Sequence, residues 1–401
     1  MQHARTIMLL LLGVTVALAG NRHSRNSEER RPLITRNRLN AILPPLSKYR
    51  LVDRSTDYQA WAKATHQAFQ DHTTEARDGV IPSKADPPFR YVEYDQEVET
   101  MFGMYRPAKW TSRGDPRGER EYPAGIKHFS KKEDRALPMF YHEFYFTIEA
   151  FVLQPKGVVR VLDVYAFDEN YWMIIMERAD YDLHRLLFDT DRLKKVMPNY
   201  EEGKVLDEGF IRGIVLQVIK TLLVLNENDI VHKDIKPENI LCFDQGAHNP
   251  CQPKLADFGL SSRGSKRMAK MGGGTPDFLP QAYLERKKPS DTPLKDFHVD
   301  TYSAVAMIHD LLTFPHGYAM AKTLSGFRHR TIYTKHFPKR HISLELIRIF
   351  KRVLEPKVWD AHPASIKDLW PLFMAWEQAD LSKAPMHDPA ALRNRLCCTI
   401  L

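Results

Sequence analysis

The stretch Ile230-Val-His-Lys-Asp-Ile-Lys-Pro-Glu-Asn-Ile-Leu241 constrains this chain more than any other part of it. Two apolar residues lead into a polar loop and a second apolar pair follows, the pattern of a loop held between packed elements. Within it Asp234 and Asn239 stand five residues apart with Lys236 between them. The next strand-like stretch, Pro253-Lys-Leu-Ala256, runs into Asp257-Phe258-Gly259. Two carboxylates, a carboxamide and an ammonium converging on one site suit phosphoryl transfer. One carboxylate takes the proton of an attacking hydroxyl, a second oxygen set holds Mg²⁺, and the cation neutralises the migrating group.

The loop resembles the catalytic loop of protein kinases, His-Arg-Asp followed after four residues by Asn, and Asp257-Phe-Gly resembles their metal-binding motif. The two in order, with Asp257 eighteen residues past Asn239, are far more specific than either alone. The resemblance extends over about residues 90–375. Tyr122-Pro-Ala-Gly-Ile-Lys127 looks like the strand whose Lys holds the α- and β-phosphates of ATP. Its partner is expected on the next helix, where Glu143 and Glu149 both qualify and the sequel to Glu143 fits better. That choice leaves Val158-Val-Arg-Val-Leu162 as the following strand. Trp172–Ala179 resembles the fifth strand and hinge, with Met176 as gatekeeper and Glu177–Ala179 offering backbone hydrogen bonds to adenine. Gly274-Thr275-Pro276 resembles the peptide-positioning segment of Ser/Thr kinases, where Thr275 would bond Asp234 and Lys236. Asp300, opening a helix at His298-Val-Asp, would brace the loop backbone or serve as a carboxylate favoured at a helix N-terminus.

Three departures stand out. No Gly-x-Gly-x-x-Gly precedes Lys127; the segment before it carries Glu93, Asp95, Glu97 and Glu99, whose charges would repel a triphosphate. Lys233 replaces the usual Arg beside Asp234 and lacks the planar fork that grips a loop phosphate, although Ser261, Ser262 and Ser265 lie nearby. Pro280-Gln281-Ala282 replaces Ala-Pro-Glu, and the region Leu354–Pro363 lacks the Arg that would pair with the missing Glu. Losing one partner of a buried pair costs ~3–5 kcal/mol, whereas losing both is close to neutral.

The outer segments concern address. His3 and Arg5 precede an apolar run of 13 residues, Ile7–Ala19, ending in Ala17-x-Ala19. The run is short of the ~20 residues a spanning helix needs. It reads as a signal peptide over 1–19, whose removal takes the net charge from +8 to +7. That moderate excess suits anionic partners but falls short of a nucleic-acid-binding signature, and no nucleic-acid partner is expected. Residues 21–54 hold nine Lys/Arg interleaved with Leu33, Ile34, Leu39, Ile42 and Leu43. Such a stretch can lie peripherally on an anionic membrane or be a solvated linker, and Pro44-Pro45 breaks any helix there. Cys242 and Cys251 have hairpin spacing, so an oxidising compartment would bridge them; otherwise they are two thiols. Cys398-Thr-Ile-Leu401 fits a prenylation signal, which is read in the cytosol and conflicts with a signal peptide.

A secreted kinase-like chain with an arginine-rich leader and no Gly-rich loop resembles the kinases that coccidian apicomplexan parasites secrete from rhoptries or dense granules, in the branch lacking that loop. The resemblance implies an α+β, two-lobed fold: a small antiparallel-sheet lobe over 78–180 and a mainly helical lobe over 181–380. A basic extension (20–54), a helical extension (55–77) and a tail (381–401) complete the chain. It implies ATP with Mg²⁺, or Mn²⁺, in the cleft, and transfer of the γ-phosphoryl group to Ser/Thr of secreted vacuolar proteins in the parasitophorous vacuole. Asp234 would be the base, Lys236 would attend the phosphoryl group, and Asn239 and Asp257 would hold the metal. Lys127 would bind phosphate, oriented by Glu143. The branch also contains pseudokinases, so a scaffold that binds partner proteins without turnover is the alternative.

Overall fold

In the computed structural model, the described residues are 89–387 without 92–97, 101–102, 112–120, 131–135, 168–170, 198–199, 203–204, 246–250, 265–272, 281–282, 285–294, 315–339, 356–357 and 360–361. The leader, both extensions, Glu93, Asp95, Glu97, Ser265, Gln281, Ala282 and Cys398 lie outside them. The chain separates into two compact units, changing over between Arg178 and Ala179, with Lys156–Val158 belonging to the second.

The first unit is an antiparallel sheet with one helix. Its strands are β1 (Phe89–Tyr91), β2 (Val98–Thr100), β3 (Gly103–Thr111), β4 (Glu121–Ser130), β5 (Val161–Phe167) and β6 (Tyr171–Glu177). They run in the order β1-β3-β4-β6-β5, with β2 also paired to β3. Strand residues alternate between faces. Ala108, Ala124, Ile126, Met173 and Ile175 form an apolar cluster on one face. Gly125, Lys127 and Phe129 point to the other, where helix α1 (Ala136–Leu153) presents Phe140 edge-on to Phe129 at 5.7 Å. Where a glycine-rich roof would be expected, Thr100 pairs with Gly103 across a two-residue turn at 101–102. The expected strand at Val158–Leu162 is corrected: β5 starts at Val161, and Val158 instead bridges in parallel to Leu255 of the second unit. The cause is local, since Gly157 C=O accepts from Leu255 N–H at 2.8 Å and draws the chain away from the sheet.

The second unit is mainly helical. After β7 (Tyr181–Asp182) come α2 (Leu183–Phe188), α3 (Thr190–Val196) and α4 (Glu208–Glu227). Asp207 caps α4, its carboxylate accepting from Gly209 and Phe210 N–H at 2.7 and 3.1 Å. Ile211, Val215, Val218, Ile219, Leu222 and Leu225 give α4 its buried stripe. Then follow β8 (Ile230–Val231), the hairpin β9 (Ile240–Phe243) and β10 (Gln252–Leu255), β11 (Ser262–Arg263) and α5 (Asp296–Thr313). Helix α5 is buried on nearly every side, as expected of a central helix. The unit ends with β12 (Arg340–His341), α6 (Leu344–Val353), α7 (Ile366–Gln378) and β13 (Met386–His387). Buried Glu208 ties three of these parts together, accepting from Ser343 N–H at 3.0 Å and Trp376 Nε1–H at 2.8 Å. A disulfide joins Cys242 to Cys251 across the β9–β10 hairpin, with Cα atoms 4.7 Å apart.

His298, in the first turn of α5, is buried, and its Nδ1 accepts from Lys295 N–H at 3.0 Å. Burial, aided by the Lys295 and Arg352 charges and opposed by Asp368, lowers its pKa to about 4. Between that value and about 6.5 the unfolded chain binds the proton that the folded chain refuses, so stability falls as pH drops through this window. The predicted loss between pH 7.5 and pH 5 is roughly 2 kcal/mol from this residue. Chemical denaturation at the two pH values should show that loss in the wild type and a flatter profile in His298→Gln.

Candidate active site

The catalytic-loop segment is held from beneath by a single buried carboxylate. Asp300, in the first turns of α5, accepts from His232 N–H (2.9 Å) and Lys233 N–H (2.7 Å), with Asn226 Nδ2 at 3.3 Å. Complete burial pushes its pKa up, while those three donors pull the other way. These bonds fix the loop backbone, including the left-handed turn at Lys233 (φ 71°). His232 is fully buried; its Nδ1 accepts from Asp234 N–H at 3.3 Å, which assigns the proton to Nε2 and makes the 2.9 Å contact to Ala256 C=O a donated bond. Its ring meets buried Phe258 edge-on at 4.7 Å, joining the loop to the Asp257-Phe258-Gly259 turn.

On this base Asp234 is held on both oxygens. Oδ1 accepts from the backbone N–H and the hydroxyl of Thr275, each at 2.8 Å. Oδ2 accepts from Asn239 Nδ2 at 3.0 Å and pairs with Lys236 Nζ at 2.8 Å. Lys236 also donates to Thr275 Oγ1 at 2.9 Å, so the three side chains close a ring of hydrogen bonds. Thr275 reaches Asp234 because Gly274 precedes it. Gly274 has φ +97°, and a Cβ there would sit 2.6 Å from the Lys233 carbonyl oxygen.

Asn239 and Asp257 stand at the open end of the disulfide-clasped hairpin. Asn239 directly precedes β9, Asp257 lies two residues past β10, and Ala256 N–H donates to Asn239 C=O at 3.0 Å. Because Asn239 Nδ2 is engaged by the Asp234 side chain and carbonyl, its Oδ1 is the atom that faces any cation. Asp257 adopts the left-handed conformation (φ 61°, ψ 69°), a strained geometry for a non-glycine residue of the kind that clusters at functional sites. Two hard oxygen donors of this sort fit a divalent cation that takes its other oxygens from phosphate and water. Among the described residues no group of three His, Cys, Asp or Glu side chains could hold a metal by itself.

In the first unit Lys127 Nζ donates to both oxygens of Glu143, at 2.8 and 2.7 Å, with both side chains almost fully buried. Glu149 is buried elsewhere on α1. Met176 is buried in β6, opposite Gly125. Glu177 is partly committed: its N–H donates to Arg160 C=O at 2.9 Å and its carboxylate accepts from Arg160 N–H at 2.8 Å. Of its backbone groups, only the carbonyl remains to offer a base. Ala179 is the first residue of the second unit.

Sequence reasoning missed the partner of Lys233. Its ammonium lies 3.2 Å from Asp296 Oδ2, with only 12% of the Lys side chain and 3% of the Asp side chain exposed. Ser262 Oγ donates to the same oxygen at 3.1 Å. An internal carboxylate thus occupies the cation where a loop phosphate would otherwise be gripped. Ser261 and Ser262, counted from sequence among nearby serines, are both buried.

A protein kinase domain model matches residues 121–360, well over half of the chain, and the chain belongs to the protein kinase family. It is 31% identical over 139 residues to the dual specificity mitogen-activated protein kinase kinase sek-1 of Caenorhabditis elegans, covering 34% of this chain and 39% of that one. It is 32% identical to cyclin-dependent kinase 1 of Encephalitozoon cuniculi over 27% of this chain and 31% of the relative. The mitogen-activated protein kinase hog1 of Aspergillus terreus is 23% identical over 56% and 52% respectively. The chain therefore spans about a third to a half of these relatives. The fold is the α+β kinase fold with its antiparallel-sheet and helical lobes.

Asp296→Asn should strand the poorly solvated Lys233 ammonium and cost roughly 2–4 kcal/mol in urea denaturation. The double variant Lys233→Met/Asp296→Leu should cost less than the single one, because neither charge is left buried alone.

Proposed function

We propose that the chain is a Ser/Thr protein kinase that transfers the γ-phosphoryl group of Mg·ATP to hydroxyls of protein substrates. The observation that carries this reading is the closed hydrogen-bond ring of Asp234, Lys236 and Thr275, with Asn239 on the second Asp234 oxygen. Four donors fill the lone-pair positions of Asp234. A phosphoryl group that draws Lys236 away opens one of them to a substrate hydroxyl. The hydroxyl oxygen then bonds to the γ-phosphorus, the bond from that phosphorus to the bridging oxygen of ADP breaks, and Asp234 takes the proton. Asn239 Oδ1 and Asp257 would hold the divalent cation, which screens the phosphate charge when bound. Lys127, oriented by Glu143, would hold the phosphates on the first unit.

The export route is part of the same proposal. It is supported by the apolar leader ending in Ala17-x-Ala19 and by the Cys242–Cys251 bridge, a bond that persists in oxidising compartments. The missing Gly-rich loop and the arginine-rich leader support a rhoptry or dense-granule kinase whose substrates are secreted vacuolar proteins. Residues 21–54 would give it peripheral contact with anionic membrane. Among the described residues no helix is long and apolar enough to cross a membrane.

Purified protein with Mg·ATP and a mixture of candidate protein substrates should incorporate phosphate, and Asp234→Ala should reduce the rate by at least 10²-fold at unchanged melting temperature. Incorporation that is absent from the wild type, while partners still bind, would assign the chain to the scaffold class instead. Undiminished transfer in the variant would show that Asp234 is not the base. Protein made through a secretory route should yield peptides linked through Cys242 and Cys251 when mapped without reductant; two alkylatable thiols would remove the support this pair gives to export.

A further inference from the structure

The face of the sheet that carries Lys127 also carries Gly125 in the middle of β4. Glycine weakens a strand interior and often marks a place where another group comes close. The backbone does not demand it here, since the described glycines with positive φ are Gly273 and Gly274 alone. The space does. A Cβ on Gly125 would overlap the hydroxyl and ring carbons of Tyr105. Tyr105 stands on β3 directly opposite Lys127, and so on the same face, and its phenol end reaches into the slot that Gly125 leaves open.

The register shows what this slot is for. Ala124 lies opposite Glu177, Gly125 opposite Met176 and Lys127 opposite Ile174. A nucleotide whose base meets the backbone near Glu177 and whose phosphates meet Lys127 must cross the sheet over Gly125. We infer that the phenol end of Tyr105, seated on Gly125, is the surface against which the nucleobase packs. This rests on the nucleotide-binding reading above. The aromatic group lies in the layer a methyl side chain would form, so it furnishes the shelf without closing it and gives the base a ring edge in place of bare strand. A base against an aromatic side chain gains enough that truncation to Ala weakens binding by about 5- to 100-fold. With only a two-residue turn at 101–102 where a phosphate-covering loop would be, such a contact carries a larger share of the affinity.

Calorimetry of the full-length protein with Mg·ATP and with Mg·tripolyphosphate tests this, with melting curves as the check on folding. Tyr105→Ala should weaken Mg·ATP binding about 10-fold and leave Mg·tripolyphosphate within about two-fold. Gly125→Ala should also weaken Mg·ATP, because its methyl displaces the ring, and the same substitution made on top of Tyr105→Ala should recover part of the loss by supplying a small shelf. If Tyr105→Ala does not fold, Tyr105→Leu, which keeps apolar bulk without the ring, carries the same expectation. Mg·ATP binding that is unchanged or tighter in the Tyr105 variant overturns the inference and makes the ring a plug. An equal loss for tripolyphosphate overturns it too, since the defect then lies at the phosphates. A wild type that binds no Mg·ATP at all removes the nucleotide reading and this inference with it, a result distinct from a binding wild type with an indifferent Tyr105.

Discussion

Asp300 holds a position in the second unit that nothing else can fill. A carboxylate with no exposed surface is costly, and here the hydrogen bonds from His232, Lys233 and Asn226 offset that cost. The bonded groups are the two residues immediately before Asp234 and the last turn of α4. Removing the carboxylate would leave two buried backbone N–H groups without partners, each costing ~1–3 kcal/mol. The direction of Asp234, the left-handed turn at Lys233 and the tautomer of His232 all follow from this anchor.

A second constraint is covalent. The β9–β10 hairpin carries the candidate metal oxygens at one end and the Cys242–Cys251 bridge toward the other. Closing so short a loop limits the unfolded chain more than it adds to native contacts, and the chain-entropy estimate for a loop of this length is ~2–3 kcal/mol. The bridge therefore acts on the survival of the hairpin, while the bond from Ala256 N–H to Asn239 C=O acts on the spacing of the metal-binding end. Phe258 then locks the turn after Asp257 by packing on His232.

The catalytic loop is tied to its surroundings by fixed groups. Lys233 is engaged by Asp296, Asp296 accepts from Ser262, and Ser262 sits in β11, which pairs with β8 just before the loop. A buried ion pair adds little net stability, yet breaking one side of it is expensive. That asymmetry makes the pair a device for holding one arrangement. Because the carboxylate belongs to helix α5, the arrangement needs no modification of the chain to form.

The sequence by itself determined the chemistry of the second unit. Asp234, Lys236, Asn239 and Asp257 are close in the chain, so their types and spacing define a short loop and a hairpin whatever else the molecule does. Thr275 was legible as well, because Gly274 has a backbone requirement that sequence can display. The partner of Lys127 was legible only as a choice. Glu143 and Glu149 are six residues apart on α1, on different faces of a helix, and Glu143–Ala150 is buried throughout. No amphipathic stripe marked the side that meets the sheet, and packing of Phe140 against Phe129 decided it. The true start of β5 was likewise decided by tertiary structure, through the bond from Leu255 to Gly157. Asp296 and Tyr105 were invisible because their partners lie far along the chain or across a strand register. Gly125 within a strand was the one signal that pointed to a close neighbour, and the identity of that neighbour depends on which residue the β3–β4 pairing places beside it.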